Sequence, residues 1–108
     1  MIDLVKNNIQ SIADICHRHY VKTLYIFGSA TRDTTFNPDS DIDFLYEIDT
    51  AKFNDGLGNY DYLDNLQSLE SSLENLLKRK IDLVPNTTIS NKYLKKTIEE
   101  SKQQLYAA

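Results

Sequence analysis

The sequence predicts an α/β (α+β) fold, a short mixed sheet flanked by helices, with residues 1–108 forming one domain. Three observations carry this expectation. Compact β-prone runs at residues 24–27, 41–46 and 81–84 alternate with stretches in which apolar residues recur at helical spacing. The resulting order of helix, strand, strand, helix, strand, helix buries its apolar faces by laying helices on a sheet. A chain of 108 residues, 41% hydrophobic and 26% charged, has material for one core, and the balance is that of a globular domain.

Taken in order, Val5, Ile9, Ile12 and Cys16 mark an amphipathic first helix that frays near His17 to Tyr20. Leu24, Tyr25, Ile26 and Phe27 form a buried strand stopped by Gly28. Residues 28–40 are polar and rich in turn formers, with Asn37-Pro38-Asp39 as the breaker and a short helical turn expected after Ser29. In the second strand Ile42, Phe44 and Tyr46 share one face, and Asp41, Asp43 and Leu45 share the other. Because only a short polar segment joins the first two strands, an antiparallel hairpin-like pairing is as accessible as a crossover. Residues 49–60 hold Asn54, Asp55, Gly56, Gly58 and Asn59 and predict a loop, after which Tyr62, Leu66, Leu69, Leu73 and Leu76 trace a long helix closed by Lys78-Arg79-Lys80. Ile81 to Val84 make a third strand halted by Pro85, and a last helix starts near Asn91 with Leu94 and Ile98 inward.

Composition narrows the function. Sixteen acidic against twelve basic residues leave a net charge of −4, which argues against general nucleic-acid binding, since that grip comes from Lys and Arg displacing condensed counterions. The apolar runs are too short for a membrane span. A single cysteine, Cys16, makes no internal disulfide and no leader-like segment opens the sequence, so a cytoplasmic location is expected. Cys16-His17-Arg18-His19 offers soft ligands, but no second cluster completes a zinc site, and the favoured reading is a helix end whose histidines meet the last carbonyls.

Chemistry concentrates elsewhere. Asp41-Ile42-Asp43 sets two carboxylates on one face of a strand, and Asp82 opens another strand with similar apolar flanks. Ionised carboxylates among apolar neighbours are costly unless compensated, and an oxygen-only donor set suits Mg²⁺ or Mn²⁺. Taken alone, the favoured reading of each Asp is a strand end at the solvent edge. Gly28-Ser29, directly after a buried strand, is a turn whose N–H groups could approach phosphate oxygens beside that cation.

These residues resemble a known family, the minimal nucleotidyltransferases of the polymerase-beta-like superfamily. The resemblance is carried by Phe27-Gly28-Ser29, Arg32, Pro38-Asp39-Ser40-Asp41-Ile42-Asp43-Phe44 and Lys80-Ile81-Asp82-Leu83-Val84, and it extends through a final helix reaching Leu105-Tyr106. It implies the polymerase-beta-like nucleotidyltransferase fold, with ATP as substrate and two Mg²⁺ ions, Mn²⁺ being an alternative. Asp41, Asp43 and Asp82 would be the catalytic and metal-holding residues. Gly28, Ser29, Arg32 and Ser40 would bind the nucleotide, although Arg32 has an alternative as an ion-pair partner of Asp33, Asp39 or Asp41, and Ser40 as a turn cap. The chain departs from the pattern in carrying Asp33 where the family commonly has glycine, and in one extra residue between Ser29 and Asp41.

As partner the resemblance implies a small helical HEPN-type toxin, one of whose hydroxyls would receive AMP from this antitoxin, within a homo- or hetero-oligomer. Two other readings remain open on the residues: an antitoxin that neutralises by binding alone, and transfer of a nucleotide to a small molecule of the aminoglycoside type.

Overall fold

The computed structural model describes residues 1–32, 39–57, 62–86 and 91–108. The expected first helix is two: α1, Asp3–Lys6, and α2, Ile9–Arg18. Asn8 breaks it, its side-chain amide donating to the Leu4 carbonyl at 2.7 Å and so competing with continued helix. The break turns Ile9 outward to 37% exposure, and the buried stripe of α2 becomes Ile12, Ile15 and Cys16. Burial pushes the Cys16 thiol up to about 12.

His19 ends α2 as a structural group. The Ile15 carbonyl can only accept, so His19 Nδ1 donates to it (2.6 Å) and Nε2 accepts the Ser68 hydroxyl (3.0 Å). The His19 carbonyl takes the amide of the buried Asn65 at 2.8 Å, which ties α2 to α4, Tyr62–Leu77.

Strands β1, Val21–Phe27, β2, Ile42–Ile48, β3, Ile81–Pro85, and β4, Gln103–Ala107, form one sheet in the order β3-β2-β1-β4. β1 pairs antiparallel with β2 and β4, whereas β2 and β3 run parallel, so the sheet is mixed. Alternation along each strand divides the interior. Leu24, Ile26, Ile42, Phe44 and Tyr46 pack with α2 and with Leu69, Leu73 and Leu77 of α4. Each fully buried leucine there contributes about 1.5–3 kcal/mol. On the other face Phe27 and Leu45 meet Ile98 of α5, Lys92–Ser101, with Tyr25, Val84 and Leu94 around them.

Two sequence expectations are corrected. Residues 50–57, expected as loop, form α3, Thr50–Leu57. Asp49 caps it by accepting the Lys52 amide at 3.1 Å, and buried Phe53 meets the rings of Tyr20 and Tyr62 edge-on at 6.0 and 5.6 Å. The last helix stops at Ser101 rather than reaching Tyr106, because residues 103–107 hydrogen-bond to the edge of β1 as β4 and bury Leu105. The expected helical turn after Ser29 is present as a 3-10 turn, Gly28–Thr31. Asp33 and the Asn37-Pro38 breaker lie outside the described residues. Among the described residues no helix is long and apolar enough to cross a membrane.

The Lys78-Arg79-Lys80 cations follow the end of α4 instead of occupying its last turn. Lys78 takes a left-handed φ of 56° at the position where helices commonly place glycine. Lys78→Gly is therefore expected to raise stability by about 0.5–1 kcal/mol in urea unfolding, since relief of the Cβ strain exceeds the added chain entropy.

Candidate active site

The site is assembled by strand register. Phe27 on β1 pairs with Asp43 on β2, and Asp43 pairs with Asp82 on β3, so the two acids are direct neighbours across parallel strands about 4.8 Å apart. Asp41 precedes β2 by one residue and adds a third carboxylate. Asp41 and Asp82 are exposed and Asp43 is half-buried between them. Desolvation, then the charges of Asp82 and Asp41, push the Asp43 carboxyl up to about 6.

Where β1 ends, the chain turns at Gly28 with φ of +75°. A Cβ at this position would lie 3.0 Å from Oδ2 of Asp43. Glycine is thus required twice, by the left-handed backbone and by the carboxylate against it. The Thr31 hydroxyl donates to the Gly28 carbonyl at 2.7 Å, and the Ile2 amide to the Ala30 carbonyl at 3.0 Å. The Met1 ammonium donates to the Thr31 carbonyl, so the chain start clamps the turn from behind.

The Gly28 N–H, expected from the sequence to face a phosphate, donates instead to Ser101 Oγ at 3.0 Å. That hydroxyl in turn donates to the Thr97 carbonyl at 2.6 Å. Through this chain α5 becomes the opposite wall of a cleft of about 330 Å³, lined by Gly28, Ser29, Arg32, Thr97, Glu100 and Ser101. The expected nucleotide residues Ser29 and Arg32 face this cleft together. Ser40 does not line it: its carbonyl accepts from Arg79 Nη2 at 3.0 Å, and the Ile42 amide beside it donates to the Lys80 carbonyl at 3.1 Å. Arg79 thus fixes the approach to Asp41 from behind.

Sequence reasoning missed Ser101, Thr97, Glu100 and the role of Arg79. Their positions carry no local signature; they meet the turn only because α5 crosses the sheet face and β3 lies beside β2.

The donor chemistry fits a divalent cation. All three acids offer oxygen only, and the half-buried Asp43, raised by desolvation and by its two acidic neighbours, would gain a compensating charge from such an ion. Among the described residues no group of three acid, imidazole or thiol side chains is already gathered to hold a metal ion.

The raised Asp43 pKa sets a pH dependence whose sign is opposite to that of an ion-paired carboxylate. Between about 3.8 and 6 the folded state keeps the proton that the unfolded chain releases, so stability falls as pH rises through this window and is flat above it. Asp43→Asn is expected to be more stable than the parent by about 1 kcal/mol at pH 8, after allowance for solvent screening of a half-exposed group, with the gap closing towards pH 4. Urea unfolding of both proteins across pH 4–8 measures it. Gly28→Ala is expected to lose about 1–2 kcal/mol in the same assay.

Comparison with known proteins identifies the family and the fold. The nucleotidyltransferase domain family matches residues 9–105. A Methanocaldococcus jannaschii protein named "Putative protein adenylyltransferase MJ0128" is 38% identical over 100 residues, covering 85% of this chain and 92% of its own. A chain of a solved toxin–antitoxin complex with AMP-PNP superposes with a TM-score of 0.64 at 20% identity, over 94% of this chain and 74% of that one. A structure of a tri-AMPylated Shewanella oneidensis HEPN toxin with its MNT antitoxin gives 0.59 at 18% identity, over 95% and 72%. At these identities the structural likeness shows a shared fold. Sequence match and acid geometry together place the chain in the nucleotidyltransferase domain family, and it is a nucleotidyltransferase.

Proposed function

We propose that this chain is a metal-dependent protein adenylyltransferase that moves AMP from ATP to a hydroxyl of a helical HEPN-type toxin, acting as its antitoxin in the cytoplasm. The observation that carries the reading is the convergence of Asp41, Asp43 and Asp82 beside the Gly28 turn, in the register β1-β2-β3. The name of the archaeal relative supports protein adenylylation, and the two toxin–antitoxin structures support AMP as the transferred group and a HEPN partner.

Asp41 and Asp43 would hold Mg²⁺ or Mn²⁺, with Asp82 completing a second site. Such ions, when bound, supply neutralisation of the triphosphate charge. The chain's own groups do the remaining work. Ser29 and the cationic Arg32 face the cleft where the β- and γ-phosphates would rest, and the Ser101 bond holds the turn in place. Exposed Asp82 can be reached by an incoming hydroxyl and takes its proton. The acceptor oxygen bonds to the α-phosphorus, the bond from that phosphorus to the bridging oxygen breaks, and pyrophosphate leaves. Half-buried Asp43, at the centre of the row, orients the reacting groups without being open to the acceptor.

Labelled ATP, Mg²⁺ and the candidate helical partner, mixed with the parent chain or with Asp41→Asn, Asp43→Asn or Asp82→Asn, test the reading. Label is expected on the partner with the parent chain only. Asp82→Asn should lower the transfer rate about 10²- to 10⁴-fold while ATP affinity is largely kept. Toxin neutralisation that persists in all three variants would instead establish inhibition by binding. Millimolar Mg²⁺ should also raise the unfolding midpoint of the parent at pH 8 and leave Asp43→Asn unmoved.

A further inference from the structure

Tyr93 stands 86% exposed in the first turn of α5. A single exposed aromatic residue is unremarkable in isolation. Its placement is not. Successive helix residues are 100° apart, so Tyr93, Thr97, Glu100 and Ser101 lie within one 100° arc of α5, and the last three line the cleft beside the Gly28 turn. Leu94 and Ile98, on the neighbouring arc, bury the helix against the sheet. The stripe that carries Tyr93 is therefore the wall of α5 that continues outward from the cleft.

The helix turn that carries the ring is pinned through its backbone. Asn91 Oδ1 accepts the Tyr93 amide at 2.9 Å and the Leu94 amide at 3.1 Å, capping the helix, and the Thr97 hydroxyl donates to the Tyr93 carbonyl at 3.0 Å. From Ser101 to Tyr93 the helix rises about 12 Å. That length is comparable to the reach of a nucleotide from its phosphates to its base. The order of chemistry along the stripe follows the same direction. Ser101 fixes the turn expected to hold phosphate, Glu100 adds a carboxylate able to accept from sugar hydroxyls, and Tyr93 ends the stripe with a π face. Glu100 pairs with Lys96 through Oε1 at 3.9 Å, a solvent-exposed contact that does not involve its second oxygen.

We propose that the outer stripe of α5 is the nucleoside-recognition wall of this enzyme, with Glu100 accepting from the ribose hydroxyls and Tyr93 stacking on the base. This deepens the adenylyltransferase reading and rests on it. Stacking accepts any base, so the wall favours the larger purine ring over pyrimidines without fixing which purine.

Calorimetric titration of the full chain with ATP and with inorganic tripolyphosphate, both in Mg²⁺, tests the wall. Tyr93→Ala is expected to weaken ATP binding about fivefold to thirtyfold and to leave tripolyphosphate binding unchanged, with Tyr93→Phe restoring ATP affinity. Glu100→Gln should narrow the preference for ATP over dATP. Equal losses for ATP and tripolyphosphate, or an unchanged ATP affinity in Tyr93→Ala, would overturn the wall while leaving the enzymatic reading intact. Failure of the parent chain to bind either ligand would overturn the enzymatic reading and this inference together.

Discussion

The carboxylate of Asp43 lies against the backbone of Gly28, and most of the site's arrangement answers to that contact. Strand register brings the acid there, because β2 is paired on both sides and cannot slip without turning its apolar face to water. The left-handed turn leaves room for it, since any side chain at position 28 would occupy the same space. Two further acids crowd the same corner, so the fold sustains a charge arrangement that works against its own stability. Such tension is tolerated where a ligand relieves it.

The second wall of the cleft comes from α5, which packs on the face of the sheet that carries the acids, away from α2 and α4. Ile98 anchors α5 on Phe27 and Leu45, and less than one turn later Ser101 reaches the Gly28 amide. Packing and site geometry are therefore joined through a single helix. Loosening Ile98 would displace a cleft residue without touching the acids. From the other side Arg79 holds the Ser40 carbonyl, so the chain entering Asp41 is braced by the turn between α4 and β3.

How much could be read from the residues depended on whether the determining contact was local. Leu24 to Phe27 and Ile81 to Val84 are apolar runs between turn signals and were legible as strands, as were the paired acids, whose spacing alone puts Asp41 and Asp43 on one side. Helix α3 was hidden because Asn54, Asp55 and Gly56 are poor helix formers; it is held by the Asp49 cap and by Phe53 wedged between Tyr20 and Tyr62. The continuation of the last helix to Leu105-Tyr106 rests on the family resemblance and not on periodicity, and the edge of β1 recruits residues 103–107 as a strand instead. The site divides along the same line. Asp82 and Gly28 were visible from their neighbours in the chain, whereas Ser101 enters only through a contact spanning 73 positions.

Cys16 brings a practical consequence. It is the sole sulfhydryl in the chain, it is sealed on the buried face of α2, and at neutral pH almost none of it is ionised. Maleimide dyes and spin labels attack the ionised form, so the native protein should be silent towards them. One cysteine introduced on the surface would then accept a probe selectively in an otherwise unaltered background, and fluorescence or electron-spin distances could follow the cleft in solution.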